Sequence, residues 1–174
     1  MRKYFLIALL TAFTLSAFCQ NEIKWYSIQE AEQLSRQSFR PMFIDAYTDW
    51  CGWCKKMDQD TFTNPVIAEI LNTKFYPVKF NAEGKEEITF FGQKFTNDGK
   101  AGKAHQLAVA LLNGQLSYPT VVFLTKKDDK FQVSPVPGYR QPKEMELLLT
   151  FFADKAYETS NFQEFSAAFK GKIE

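Results

Sequence analysis

The feature that most restricts the fold of this chain is a regular alternation of strand-like and helix-like segments between residues 24 and 169. Apolar runs and turn signals predict strands at residues 24–26, 42–47, 75–80, 121–124 and 131–133. Helical spacing and capping patterns predict helices at residues 28–37, 51–57, 65–71, 103–112, 144–155 and 162–169. Strands that alternate with helices indicate an α/β fold, a three-layer α/β/α sandwich with helices on both faces of one sheet.

Two of these helices begin with a capping-box pattern. Ser27 is followed three residues later by Glu30, and Asn161 is followed in the same way by Glu164. The last predicted helices are rich in phenylalanine, and these side chains are expected to pack helices together rather than to bind a ligand: Phe151, Phe152, Phe162, Phe165 and Phe169.

The N-terminus has the layout of a secretory signal peptide. Three residues that include Arg2 and Lys3 precede an apolar run over residues 4–18. This run is shorter than the roughly 20 residues that a helix needs to span a bilayer, and polar residues follow it directly. A retained membrane helix is therefore the less favoured interpretation.

The small residues Ala17 and Cys19 fit a cleavage site between Cys19 and Gln20. We therefore predict a signal peptide at residues 1–19 and a mature domain at residues 20–174, located in the periplasm or secreted. The alternative is a lipoprotein acylated on Cys19, which is less favoured because Phe18 is large where lipoprotein sites prefer a small residue.

The charge of the chain is nearly balanced. Removal of residues 1–19 takes Arg2 and Lys3 from 21 basic residues and leaves 19, against 20 acidic residues. A surface of this kind gives no electrostatic reason to expect nucleic acid as a partner. The remaining length fits one domain without internal repeats.

Only two cysteines follow the predicted cleavage site, Cys51 and Cys54. A disulfide across so short a loop restricts the unfolded chain very little, so its value is more chemical than structural. A closed zinc site is disfavoured because no second cysteine pair exists and His105 is the only histidine. His105 itself is predicted to lie on the solvent-facing side of a helix, and Lys55 stands where covalent haem attachment requires histidine.

The two cysteines lie between a predicted buried strand and the start of a predicted helix. Free N–H groups and the positive end of the helix dipole favour a thiolate at such a position. Cys51, nearer the helix start and expected to be the more exposed, is predicted to attack, and Cys54 is predicted to resolve the mixed disulfide. Trp50 and Trp53 are expected to form a hydrophobic rim for client chains.

With these residues the sequence resembles the thioredoxin superfamily over most of residues 24–155. That family has a buried acid six residues before the first cysteine, where this chain has Asp45. The resemblance implies that Asp45 is the base that deprotonates Cys54, and burial is expected to raise the pKa of its carboxyl group. Lys79 matches the lysine that the family often places beside this acid and is expected to tune its pKa.

The third shared mark is a proline in Tyr118-Pro119. In the family it forms a cis peptide bond facing the cysteine pair, which implies that the main chain of Tyr118 pairs with an extended segment of the client. Gly138 is similar to a family glycine near the end of the last strand.

Two features depart from cytosolic thioredoxins. Gly52-Trp53 replaces Gly-Pro between the cysteines, so the working direction stays open. Residues 83–102 form an insertion, a loop or small hairpin, before the cis-proline strand, and an extra helix follows at the C-terminus. The sequence from Cys51 to Lys55 also resembles the soluble domain of the bacterial thiol:disulfide interchange system. That resemblance implies exported client proteins and a membrane electron donor as partners.

Three functions follow as hypotheses. The favoured one is a periplasmic thiol:disulfide oxidoreductase, a reductase or isomerase that uses no cofactor besides its redox-active disulfide. The alternative is a module that binds or delivers Cu(I) through the same two thiols. The third is a noncatalytic interaction domain.

Overall fold

The computed structural model describes residues 22–128 and 130–174. The predicted signal peptide, its cleavage site and Cys19 lie outside these residues. Within the described part of the chain, every helix is too short or too polar to cross a bilayer. The start of the mature domain at residue 20 stays a prediction.

Residues 22–128 and 130–174 contain six strands and six α-helices. The strands are β1 (Met42–Tyr47), β2 (Tyr76–Asn81), β3 (Ile88–Phe90), β4 (Gln93–Phe95), β5 (Thr120–Lys127) and β6 (Lys130–Pro137). The helices are α1 (Ile28–Gln37), α2 (Gly52–Asp60), α3 (Pro65–Lys74), α4 (Gln106–Leu111), α5 (Pro142–Ala153) and α6 (Phe162–Ala168). A short 3₁₀ helix, Ala156–Glu158, connects α5 to α6.

The main sheet has the strand order β2-β1-β5-β6. Strand β1 is parallel to β2 and antiparallel to β5, and β5 is antiparallel to β6. In place of the predicted strand at residues 24–26, Tyr26 forms a single parallel bridge with Val78.

Apolar side chains are buried on both faces of this sheet. Ile44 and Val122 pack on the face that α1 and α4 cover, whereas Phe43 and Phe123 pack on the face that α2, α3 and α5 cover. The predicted three-layer α/β/α sandwich is therefore confirmed.

The insertion before β5 contains a β-hairpin. Strands β3 and β4 pair in antiparallel fashion around the two-residue turn Phe91-Gly92, in which both residues have positive φ. The N–H of Phe91 donates to the buried Glu32 carboxylate on α1 at 3.0 Å. Because φ is 47° at a residue with a side chain, this hydrogen bond helps to hold an uncommon backbone conformation.

The prediction for His105 is wrong. Helix α4 begins at Gln106, so His105 is its N-cap rather than a residue on its outer face. The side chain is fully buried, and its Nδ1 accepts from the N–H of Leu107 at 3.1 Å. Its Nε2 then carries the proton and donates to the Glu86 carbonyl at 2.9 Å. The ring thereby joins the insertion to α4.

The C-terminal helices pack through phenylalanine, as predicted. Phe151 and Phe152 on α5 are buried. The ring centroid of Phe151 lies 5.3 Å from that of Phe162 and 5.3 Å from that of Phe165, both on α6. Asn161 and Glu164 form the predicted capping box at the start of α6.

Candidate active site

Cys51 is the N-cap of α2, and three residues separate it from the end of β1 at Tyr47. The N–H of Cys51 donates to the Thr48 carbonyl at 3.1 Å, which fixes this connection. Cys51 and Cys54 form a disulfide with an S–S distance of 2.14 Å. The N–H of Cys54 donates to the Cys51 sulfur at 3.1 Å. This N–H belongs to the first turn of α2, where such groups stabilise a thiolate once the disulfide is reduced.

Cys51 was expected to be the more exposed cysteine, but in the oxidised pair both cysteines are buried to nearly the same extent. Cys51 is 3% exposed and Cys54 is 2% exposed. The disulfide and the hydrogen bond from the Cys54 N–H both draw the Cys51 sulfur over the first turn of α2. The neighbouring indoles remain open to solvent, with Trp50 65% exposed and Trp53 59% exposed.

Each of these tryptophans contacts a tyrosine, and Trp50 also donates a hydrogen bond to a carboxylate. The Trp50 ring meets Tyr118 edge-on at 6.1 Å between centroids, and its Nε1 donates to Glu83 at 3.0 Å. Glu83 lies at the start of the insertion and is a contact that the sequence did not reveal. This arrangement places the Tyr118-Pro119 loop beside the segment that carries the cysteines.

Trp53 packs against a different tyrosine, Tyr139. Its ring centroid lies 5.4 Å from that of Tyr139, and the Tyr139 hydroxyl donates to Asp60 at the end of α2 at 3.0 Å. We call these two ring pairs, Trp50 with Tyr118 and Trp53 with Tyr139, the aromatic rim.

The Tyr118-Pro119 peptide bond is cis. The Pro119 carbonyl accepts from the N–H of Gly138 at 2.8 Å, and Gly138 has a φ of +97° that favours glycine. Tyr118 is partly buried, and the pKa of its hydroxyl is raised by burial and then by the charge of Glu83. The pairing of Tyr118 with a client chain stays a prediction.

Asp45 is the buried acid of the site. It lies on β1 directly opposite Lys79 on β2, and the Lys79 ammonium donates to its Oδ2. Burial raises the pKa of Asp45 to about 6, although the charge and hydrogen bond of Lys79 work in the opposite direction. Among the described residues, no group hydrogen-bonds its second oxygen, Oδ1, which is also buried.

Lys79 has a second carboxylate partner, Asp58 on α2. Burial works to lower the pKa of the Lys79 ammonium, but the two aspartates outweigh burial and raise it. The ammonium also lies 5.1 Å from the ring centroid of Trp25 and 5.2 Å from that of Phe62. These contacts hold the cation between the two carboxylates.

Asp58 was not among the residues predicted from the sequence. Its position four residues after Cys54 and seven after Cys51 places it on the same face of α2 as both cysteines, which was the available signal. Through Lys79, Asp58 links the buried Asp45 to the helix that carries the cysteines. Asp58 is 43% exposed whereas Asp45 is 1% exposed, so the three charges lead from the interior to the surface.

Within residues 22–128 and 130–174, no three His, Cys, Asp or Glu side chains are grouped so that they could hold a metal ion.

Parts of this sequence are similar to sequences of known proteins. It is 29% identical over 106 residues to an uncharacterised protein of Caenorhabditis elegans, a match that covers 60% of this chain and 13% of the relative. It is 37% identical over 49 residues to the thiol:disulfide interchange protein DsbD of Vibrio vulnificus, which covers 26% of this chain and 8% of DsbD. The chain thus spans a small part of the curated relatives that it matches.

The fold is shared with solved structures. The solution structure of a thioredoxin from Thermus thermophilus superimposes with a TM-score of 0.59 at 19% identity, covering 77% of this chain and 89% of that one. A family model described as "Thioredox_DsbH: Protein of unknown function, DUF255" matches residues 7–161. This match covers most of the sequence and both cysteines, and the chain therefore belongs to that family, within the thioredoxin superfamily.

Proposed function

We propose that this protein is a thiol:disulfide oxidoreductase that reduces or isomerises disulfides of exported proteins through Cys51 and Cys54. The observation that carries the proposal is the disulfide at the start of α2, on the helix that Asp58 and Lys79 connect to the buried Asp45. No cofactor beyond this disulfide is needed. A thioredoxin fold alone does not define an activity, so the proposal depends on these residues.

Reduction of a client disulfide takes two exchanges. The Cys51 thiolate attacks one client sulfur, so that a Cys51–client disulfide forms, the client disulfide breaks and one client thiolate leaves. The Cys54 thiolate then attacks the Cys51 sulfur, which forms the Cys51–Cys54 disulfide and releases the second client thiolate. The client gains two electrons and two protons, and the protein loses them. A dithiol protein would return the oxidised pair to its reduced form.

Asp45 is proposed to accept the proton of Cys54 before the second exchange. A carboxyl group with a pKa of about 6 is largely ionised at neutral pH, yet it is basic enough to take a proton from a nearby thiol. Lys79 and Asp58 form a charged path between Asp45 and solvent, by which the proton can leave.

The location and partners belong to the same proposal. The predicted signal peptide supports export to the periplasm or beyond, with exported proteins as clients. The Vibrio vulnificus relative named a thiol:disulfide interchange protein supports a membrane electron donor of that type. The aromatic rim is proposed as the surface on which the client rests.

The proposal is tested with a Cys54→Ala variant, which cannot resolve a mixed disulfide. The reduced variant is incubated with native insulin, whose chains are joined by disulfides. It should accumulate a covalent adduct through Cys51, visible as a mass increase that dithiothreitol reverses. The matched Cys51→Ala variant should form no such adduct, and reduced protein with both cysteines should precipitate insulin chains. Because both sulfurs are buried in the oxidised state, the absence of any adduct would show that clients do not reach Cys51 and would overturn the proposal. Stoichiometric binding of Cu(I) without thiol exchange would favour the copper hypothesis instead.

A further inference from the structure

An apolar cavity of about 580 Å³ lies between β6, α5 and α6. Its walls include Val136 on β6, Leu147 and Phe151 on α5, and Phe162 on α6. The side chains of Leu147 and Phe162 are partly open to solvent, and Phe162 is 40% exposed. A cavity of this volume and composition is typical of a site that takes up apolar groups.

The two charged residues that line the cavity, Arg140 and Glu144, are already bonded to their own main chain. The Arg140 guanidinium donates to the carbonyls of Tyr139 and Pro137, each at 2.9 Å. The Glu144 carboxylate accepts from the N–H of Gln141 at 2.9 Å. Neither charge is directed at a ligand, so the cavity suits apolar side chains better than a charged small molecule.

The cavity and the aromatic rim are linked by two consecutive residues, since Arg140 lines the cavity and Tyr139 belongs to the rim. Arg140 follows Tyr139, which packs against Trp53 in the aromatic rim. Gly138 bonds to Pro119 at 2.8 Å, and the Arg140 carbonyl accepts from the buried Thr61 hydroxyl at 2.6 Å. The segment from residue 138 to residue 140 is therefore attached both to the loop beside the cysteines and to the end of α2.

We infer that this cavity receives bulky apolar side chains of the client polypeptide, so that the enzyme prefers disulfides whose cysteine has a Leu-sized or Phe-sized residue nearby in sequence. The inference rests on the proposed function and adds the class of substrate. A client chain in exchange with Cys51 passes over the aromatic rim, and the loop of Tyr139 and Arg140 leads from there into the cavity. This link between the cavity and the rim favours a client chain over a second copy of the protein as the occupant.

The test uses synthetic peptides, each with one cysteine and linked to a copy of itself by a disulfide. The peptides come in pairs that differ at one position, which is Leu in one peptide and Ser in the other. Different pairs vary different positions before and after the cysteine. Pre-reduced protein is mixed with each peptide under single-turnover conditions, and the second-order rate constant of disulfide reduction is measured. At one or more positions Leu should react about tenfold faster than Ser, the size expected when one apolar side chain enters a matching pocket.

Two variants tie the preference to the cavity. Leu147→Ser and Phe162→Ser should each remove most of the advantage of Leu over Ser. Phe131→Ser is the matched control, because Phe131 is similarly exposed, at 42%, but does not line the cavity. Unfolding in urea verifies that each variant is folded, and the rate with hydroxyethyl disulfide, which has no side chain to insert, should stay within twofold of that of the unchanged protein.

The outcomes separate the two proposals. Equal rates for Leu and Ser peptides at every position, with normal reaction of hydroxyethyl disulfide, would overturn the cavity inference and leave the oxidoreductase intact. A preference for Leu that remains in both Leu147→Ser and Phe162→Ser would also overturn the cavity inference. A dimer in sedimentation that dissociates in Leu147→Ser would assign the cavity to a second copy and also overturn the inference. Failure of every disulfide to react would overturn the proposed function itself.

Discussion

Asp45 and Lys79 face each other as direct partners in the parallel pair of β1 and β2, one side chain fully buried and the other reaching outward to Asp58. The pair therefore combines two opposing effects on one carboxyl group. Burial favours its protonated form, whereas the ammonium favours its ionised form. Burial prevails, because the pKa of Asp45 is raised to about 6.

The raised pKa of Asp45 predicts how stability depends on pH. The ordinary pKa of Asp45 in the unfolded chain is 3.8, so the folded protein holds this proton more tightly than the unfolded chain does. Proton binding at Asp45 therefore stabilises the fold. This stabilisation is fully present below pH 3.8 and is lost as the pH rises through about 6. Asp45→Asn has no such proton. Between these two pH values, the free energy of unfolding of the unchanged protein should fall by up to about 3 kcal/mol relative to that of the variant. Urea unfolding of the oxidised proteins at several pH values measures the difference, and a constant difference would contradict the prediction.

Replacement of the cation should raise the pKa of Asp45 further. Lys79→Met keeps the aliphatic chain but removes the charge that lowers this pKa. The ¹³C chemical shift of the Asp45 carboxyl group, followed through its titration, should move to higher pH than in the unchanged protein. Lys94→Met serves as a control, since Lys94 lies on β4, pairs with Glu87 and does not act on the pKa of Asp45. An unchanged midpoint in Lys79→Met would show that burial alone controls Asp45.

Removal of the second acid should have the opposite effect. Asp58 raises the pKa of Asp45 by its charge and shares the Lys79 ammonium, so Asp58→Asn should lower that pKa. The same ¹³C titration measures the shift. Asp60→Asn is the matched control, because Asp60 lies on the same helix but pairs with Lys56. Equal midpoints in both variants would mean that Asp58 does not act on Asp45.

His105 is predicted to stabilise the fold through its cap. His105→Ala removes the acceptor for the Leu107 N–H and leaves a space in the core, which together should lower the free energy of unfolding by about 2 to 4 kcal/mol. His105→Asn restores a capping oxygen and should recover about 1 kcal/mol of this loss. Denaturant unfolding compares the three proteins, and equal values for Ala and Asn would argue against the cap.

The sequence predicted those elements whose signals are local. The capping box of Ser27 and Glu30 marked the start of α1, and the apolar run from residue 42 to residue 47 matched β1. Strand β6 was predicted too short, at residues 131–133, because Pro135 and Pro137 look like strand breakers. Proline has no backbone N–H to donate, but β6 is an edge strand and has no neighbour on its outer side. The missing N–H groups therefore do not end the strand, and β6 continues to Pro137.

The site was predictable as far as spacing along the chain defines it. The positions of Asp45 and Lys79 followed from the resemblance, and the structure pairs them. Asp58 was missed because Lys79, its partner, is 21 residues away and the two side chains meet only in the folded chain. The burial of Cys51 was missed for a similar reason, since the direction of its sulfur depends on the disulfide rather than on the sequence pattern.

The tryptophans of the aromatic rim give the protein an optical signal of its own. Trp50 and Trp53 each immediately precede one of the bonded cysteines, and a disulfide at such short range quenches indole fluorescence. Opening the bond should therefore brighten the emission, while Trp25, which does not flank a cysteine, supplies a background. The oxidation state of the unlabelled molecule can thus be followed continuously, in the same cuvette in which a client is being reduced.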